Sequence, residues 1–569
     1  MSSYMPTHRS PRVPTMLAIG GAIALAGRVI AQGPPPPPPP LNLPATSPAP
    51  AGNPITASKT NLGKTLFFEE QISSNHTVAC ATCHISGGGG SDPRSVSAAG
   101  NVNPGPDGFF STPDDIRGSR GVTRSSADGS YQLTTTYRLR AQVTPRRSMS
   151  AINAGFVPEL FWDGRAGGTF VDPITNAVVL AQGAALESQV LGPPVSDVEM
   201  GHVGRDWNDV AARVAGSAPL RLATNVPGAL ATWINGRDYP ALFQEAFGTP
   251  DVTPARIAMA IATYERTLSS NQAPVFTPPP PPGQPPPLTQ LEAQGRQIIN
   301  TIGRCNVCHG GPRFTDDDFH YTGVRPQNED LGRFGVTGQQ QNRGEMKTPS
   351  LLNVELRGPY FHNGEMPTLE AVIDFYDRGG DFNAPNKPPA IAPIGLSAQE
   401  KTALAAFLRR PLTDQRVATQ SAPFDRPTLY SESTHVATPY GVPTVGTNGL
   451  PPQIFAAEPA FLGNPAWTIA MDRGKSGQPV LLILGPNALV PGTPFQGATL
   501  NVDLNGMHLV RAGTLNGSGP GDGWVSKTIP ITSNPQFAGV PMYAQWFVLD
   551  PDGLGHRWAA TAGMQVNRF

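Results

Sequence analysis

Cys80-Ala81-Thr82-Cys83-His84 and Cys305-Asn306-Val307-Cys308-His309 contain every cysteine of this 569-residue chain. C-x-x-C-H is the attachment signal for c-type haem: two thiols add across the vinyl groups, and the next imidazole ligates the iron. Two complete copies with no cysteine left over exclude a chance spacing or a redox C-x-x-C far better than one copy would. The expected cofactors are two covalent haem c groups, one on Cys80, Cys83 and His84, the other on Cys305, Cys308 and His309. Small haem domains are built from a few helices packed on the porphyrin. The pentapeptides therefore point to a mainly α region of two cytochrome c-like domains with long loops.

Working outward, Pro254 to Leu268 has apolar residues at helical spacing behind a proline. Leu291 to Thr301 leads as a second helix into Cys305. Ser397 to Leu408 is a third, opened by a Ser397/Glu400 capping box and ended by Pro411. Proline-rich stretches, Pro34 to Pro40 and Pro278 to Pro287, mark linkers that are neither helix nor central strand. The expected organisation is a signal peptide over 1–31, a linker over 32–58 and a first haem domain over 59–270. A second linker over 271–290 precedes a second haem domain over 291–412.

Beyond residue 413 the texture changes to short β-rich runs, Pro479 to Leu484, Ala498 to Leu504 and Met542 to Leu549, separated by Gly, Pro and Asn. An all-β, sandwich-like domain is expected over 413–569, with Trp524, Trp546 and Trp558 as core residues. No motif there selects a ligand.

The bulk numbers restrict the setting. Lys plus Arg total 41 and Asp plus Glu 42, so nothing favours nucleic acid as a partner. His8, Arg9 and Arg12 precede an apolar run from Met16 to Gly27, and Val29-Ile30-Ala31 offers a cleavage site. That run is shorter than the ~20 residues a membrane span needs. The reading is an exported chain, periplasmic, envelope-bound or secreted, with no transmembrane span once mature.

Function turns on the sixth iron position, since a strong ligand makes an electron-transfer centre and an open position admits peroxide or oxygen. No histidine lies between His84 and His202, and Met149 is the one methionine between His84 and Glu199. The first haem therefore reads as open.

At this point a resemblance becomes specific. The chain resembles the bacterial di-haem cytochrome c peroxidase and MauG superfamily over about residues 59–412. The matching pieces, in order, are Leu62-Gly-Lys-Thr-Leu-Phe67, Phe161-Trp-Asp-Gly-Arg-Ala166, Glu199-Met-Gly201, Asp330-Leu-Gly-Arg333, Pro349-Ser-Leu-Leu-Asn-Val354 and Pro359-Tyr-Phe-His362. The resemblance implies that Glu199 stands over the open haem and assists O–O cleavage, with Gln189 and Pro193 at the family's spacing before it. It implies that Trp162 lies between the haems and couples them. It puts Tyr376 where the second haem's sixth ligand belongs, with Met346 and Met366 as neighbouring alternatives. An insertion over Thr175 to Leu186 is expected to loop out near the first haem. The family's calcium ligands align with Arg147 and Arg357, and cations do not ligate Ca²⁺. The usual calcium site is therefore expected to be absent or displaced.

The resemblance implies an exported peroxidase that reduces H₂O₂ at the first haem, with electrons relayed through the second from a small exported redox donor. In the MauG branch, oxidising equivalents go instead to a protein or organic substrate. An extracellular oxygenase resembling rubber oxygenases is an alternative, opposed by Glu199, because holding O₂ intact favours an apolar pocket. A non-catalytic electron carrier, with both irons six-coordinate, is another.

Overall fold

The helical part is organised by two helix pairs that cross in the same way. Ala57–Phe67 starts at Thr56, whose side chain accepts from Lys59 N, and Pro254–Glu265 starts behind Thr253 with proline in its first turn. Gln290–Asn300 and Ala398–Leu408 each open with a capping box, Thr289 with Glu292 and Ser397 with Glu400. A Cβ on Gly63 would lie 1.9 Å from Ala260 O, and one on Gly295 would lie 2.0 Å from Ala403 O. Each pair thus crosses at a glycine, with backbone against backbone. Tyr264 and Phe407 flank the two crossings, and both are buried.

This computed structural model describes residues 42–96, 100–278, 280–281, 283–447, 449–551 and 557–569. The expected signal peptide and Pro34–Pro40 lie outside the described residues. The described remainder of the expected first linker is packed down: Leu43 and Asn53 are buried, and Ser47 N donates to Arg266 O at 3.0 Å. Ala273, Val275 and Leu288, from the stretch between the pentapeptides, join the core of the second helix pair. Among the described residues, no helix is long and apolar enough to cross a membrane.

The first core gathers Leu62, Leu66, Phe67, Ile257, Ile261 and Tyr264, and takes in Val417, Phe424 and Leu429 from beyond residue 412. The loops around both cores carry short antiparallel pairs, such as Arg120–Thr123 with Ala141–Val143 and Phe319–His320 with Met346–Lys347. Residues 175–186, expected as a loop, close a hairpin of Phe170–Val171 with Val178–Leu180 and then enter the helix Ala185–Val190.

The C-terminal region is β. One sheet runs His508–Thr514, Pro479–Gly485, Pro541–Leu549, Gly563–Asn567, Thr438–Tyr440, with Trp558–Ala560 also on Pro541–Leu549. Another runs Gln453–Phe455, Thr468–Lys475, Pro520–Thr528. Pairing is antiparallel throughout, with Leu482 opposite Trp546 and Met471 opposite Val525. Ile469 and Met471 of one sheet, with Trp467 just before it, share a core with Leu482, Trp546 and Val548 of the other. Trp546 is a core residue as expected, whereas Trp524 and Trp558 are only partly buried.

This region grips the first helical region. Glu70 accepts from Tyr430 N at 2.5 Å and Ser431 N at 3.2 Å, Arg138 pairs with Asp472 at 2.7 Å, and Tyr131 N donates to Ser526 Oγ at 2.8 Å.

The two glycine crossings generate a prediction. Gly63→Ala and Gly295→Ala should each destabilise the protein by at least the ~1–3 kcal/mol typical of overpacking, because backbone carbonyls cannot step aside. Denaturant unfolding of the holoprotein checks it, with exposed Gly216→Ala as the control expected to be neutral or stabilising.

Candidate active site: two cavities with a common wall

Both pentapeptides fold into the same turn. His84 N donates to Cys80 O at 3.1 Å, and His309 N donates to Cys305 O at 2.7 Å. A carbonyl then fixes each imidazole: His84 Nδ1 lies 3.2 Å from Gly90 O, and His309 Nδ1 lies 3.0 Å from Phe314 O. A carbonyl only accepts, so each Nδ1 carries the proton and each Nε2 keeps its lone pair for a metal. Burial pushes both imidazoles down in pKa, which keeps them neutral. Burial pushes the Cys83 thiol up to about 12 and Cys305 up to about 11. A redox C-x-x-C lowers the pKa of its attacking thiol, the opposite of the direction at Cys83 and Cys305. All four are free of disulfides.

Each turn opens on a cavity. The first, about 900 Å³, is lined by Cys80, Cys83 and His84 and also by Trp162, Gln189, Pro193 and Glu199. It falls in the range of cofactor and ligand sites. The second, about 250 Å³, is lined by Cys305, Cys308, His309, Tyr376 and Met346. Met366 lies outside that lining and packs with Val324 and Phe375. Free ring nitrogens, free thiols and a cavity over each turn fit covalent haem at both places.

The segment bearing Glu199 is held from several sides. Arg205, buried, donates through Nη1 to Ile72 O at 2.7 Å and Pro194 O at 3.1 Å. Val122 N donates to Val198 O, and Arg124 pairs with Asp197 at 2.6 Å. A Cβ on Gly121 would lie 1.9 Å from Val198 O, so only glycine allows this approach. Gln189 is carried by the helix Ala185–Val190, pinned through the buried Glu187–Arg266 pair at 2.8 Å. The Glu199 carboxyl has no hydrogen-bond partner among the described residues. Its pKa is raised by burial, against a smaller opposing pull from the Arg165 guanidinium. Met149 lines both cavities.

The wall between the cavities has internal symmetry that the sequence reading missed. Ser150 and Ser350, Asn153 and Asn353, Phe161 and Phe361, and Gly164 and Gly364 are each 200 positions apart. Asn153 and Asn353 have φ of 64° and 58°, Phe161 and Phe361 have 68° and 67°, and the two glycines have 71° and 70°. Left-handed phenylalanine costs about 1–3 kcal/mol, and here the turn is made twice. Across the junction, Arg147 N donates to His362 O at 2.7 Å and Lys347 N donates to Trp162 O at 2.8 Å. Trp162 and His362, equivalent positions in the two turns, meet edge to face with centroids 6.2 Å apart. Both line both cavities. Trp162 Nε1 donates to Arg147 O at 2.8 Å, which fixes the indole. The matched F-x-x-G spacing was the available signal.

Salt links fasten the wall. Arg146 pairs with Asp163 at 2.7 Å and Asp330 at 2.5 Å, and Arg333 pairs with Glu159 at 2.9 Å. Asp330 and Arg333 are the charged ends of the D-L-G-R piece. The Arg147 guanidinium donates to Arg357 O at 2.8 Å and to Asp92 O and Gly358 O at 3.1 Å each. Tyr376 lies near the end of the helix Leu369–Asp377, packed on Phe361 and Phe375. Its hydroxyl has no partner among the described residues.

Residues 57–276 match the family described as di-haem cytochrome c peroxidase. The methylamine utilization protein MauG of Methylorubrum extorquens is 30% identical over 368 residues, which cover 64% of this chain and 81% of that protein. The cytochrome c551 peroxidase of Nitrosomonas europaea is 26% identical over 371 residues, 64% of this chain and 82% of that protein. Among solved structures, a MauG-like protein associated with microbial copper homeostasis matches with TM-score 0.47 and 25% identity, covering 68% of this chain and 97% of that one.

One more acid lines the first cavity. Glu265 is buried, its Oε2 has no partner, and burial pushes its pKa up to about 8. The folded state therefore holds a proton that the unfolded chain releases above the ordinary value of ~4.3. Stability should fall as pH rises through that window towards about 8. Glu265→Gln should make the decline shallower, leaving the share of Glu70, which burial also pushes up to about 8, as read by unfolding of the holoprotein at stepped pH.

Proposed function

Since this chain belongs to the di-haem cytochrome c peroxidase family, we propose that it reduces H₂O₂ at the His84 cavity, with electrons passing through the His309 cavity. It is an oxidoreductase of the peroxidase class, and its family implies two c-type haems. The observation that carries the proposal is that Glu199, unpaired and with a raised pKa, lines the same cavity as His84. Haem c, when bound, supplies the iron and the redox equivalents for O–O cleavage. The chain supplies the rest.

Reduction of H₂O₂ to two waters takes two electrons and two protons. Glu199 is the group suited to take the proton from one peroxide oxygen and return it to the other, the work of a general acid–base. Gln189 and Pro193 border the same space and orient what enters it. Trp162, fixed by its bond to Arg147 O and in contact with both cavities, is the conducting side chain of the wall. Tyr376 supports the reading of the second site as capped by a phenol oxygen. Burial pushes its pKa up, so its ionisation calls for a cation in the cavity. Arg147, whose guanidinium takes three backbone carbonyls, supports a wall held by a fixed organic cation in place of calcium.

The physiological reductant is proposed to be a small exported redox protein. A phenol-capped second site also suits the MauG-like direction, in which an oxidisable protein or organic substrate replaces that donor. The leader pattern and the extracytoplasmic chemistry of c-type attachment support a periplasmic or envelope location. The peroxide-handling carboxyl disfavours the oxygenase alternative.

Glu199→Gln should lower peroxide turnover about 10²–10⁴-fold with haem attachment intact. In the wild type, turnover should decline on the acid side, as pH falls through the raised pKa and the carboxylate that accepts the peroxide proton is lost. A Glu199→Gln enzyme with wild-type kcat removes the proposal. The ferric near-infrared spectrum should lack a His/Met charge-transfer band at the second haem; finding that band would return the ligand to Met346. Exhaustive chelation of divalent cations should leave activity unchanged, and recovery on adding calcium would contradict the role given to Arg147.

A further inference from the structure

The lining of the second cavity is electrostatically one-sided. Arg147, Arg304, Lys347 and Arg357 line it, and none forms an ion pair with a described carboxylate. The one carboxylate on that lining, Asp317, is taken by Arg313. Asp92, whose charge Arg147 senses, is occupied by Arg94 through two contacts of 2.9 Å each. Buried charges are ordinarily paired, and an unpaired one is costly. Guanidinium groups do not escape by neutralising: Arg147 and Arg357 are pushed down only to about 10 and stay charged at neutral pH.

Arg147 and Arg357 carry the clearest sign of a missing partner. Both are buried, and the Nε of each has no hydrogen-bond acceptor. The remaining contacts are to backbone carbonyls, Ser350 O for Arg357 and three carbonyls for Arg147. Carbonyls hold the groups in position but leave the charge uncompensated. Two buried guanidinium groups thus face a cavity that awaits two anionic oxygen groups, and guanidinium pairs best with carboxylate.

We propose that Arg357 and Arg147 receive the two propionate carboxylates of the haem attached at Cys305, Cys308 and His309. The inference rests on the haem reading of that site. It completes the charge balance of the cavity. It also ties the second haem to the wall, since the carbonyl of Arg147 holds the Trp162 indole.

The test uses the holoprotein and its Arg357→Gln, Arg147→Gln and Arg357→Lys variants. Haem staining and the reduced spectrum report covalent attachment, and spectroelectrochemistry reports the midpoint potential of the second haem. Each glutamine variant removes a cation that opposes ferric iron. The potential should fall, or, where the freed propionate takes a proton, gain a pH dependence that the wild type lacks. Arg357→Lys should stay near the wild type in potential while shifting the propionate-bending band in resonance Raman spectra. Attached haem with wild-type potential and pH dependence in both glutamine variants overturns the inference. So does an unshifted Raman band in Arg357→Lys, which remains readable when a glutamine variant fails to fold. A wild type without covalent haem at Cys305 and Cys308 overturns the underlying reading instead.

Discussion

Arg147 N–H donates to His362 O, and Lys347 N–H donates to Trp162 O. This reciprocal pair stitches two similar turns together, and the arrangement of the two cavities depends on it. It sets Trp162 against His362 at 6.2 Å and makes one layer of side chains the lining of both cavities. A shift of one residue in either turn would replace Trp162 at the junction by its neighbours Phe161 or Asp163. The left-handed Phe161 and Phe361 show what the chain tolerates to keep that register.

Like backbones carry unlike linings. The two helix pairs cross at matched glycines, and the two C-x-x-C-H turns present their imidazoles with the same hydrogen-bond logic. The differences lie in what faces each imidazole's cavity. On the first side a long connection brings Glu199 and Gln189, held by Arg205 and the Glu187–Arg266 pair. On the second side a helix supplies Tyr376, and the lining gathers unpaired cations. One cavity carries an unpaired buried carboxyl, the other unpaired buried cations.

Much of this was legible in the residues. The pentapeptides, the helices around Pro254, Leu291 and Ser397, and the β runs after residue 413 are local signals, governed by spacing and capping. Glu199, Gln189, Pro193 and Trp162 were found through a family resemblance, and the fold brings them to one cavity. Residues 175–186 were read as a loop because the strands of the hairpin they close are two and three residues long, below what alternation reveals. Arg147 was read only as a position unfit for calcium. That its guanidinium spans carbonyls from two distant segments is a tertiary fact, absent from any window of sequence. The 200-residue repeat was legible, but only through F-x-x-G turns whose other residues have diverged.

Rapid mixing of the diferric protein with one equivalent of H₂O₂, following each haem's absorbance in wild type and in Trp162→Phe, tests the link between the two cavities most directly. In the wild type, both haems should change in one kinetic phase. In Trp162→Phe, the change at the His84 haem should persist while that at the His309 haem is slowed or lost. A Trp162→Phe protein whose second haem responds as fast as wild type would contradict the claim that this indole joins the two sites.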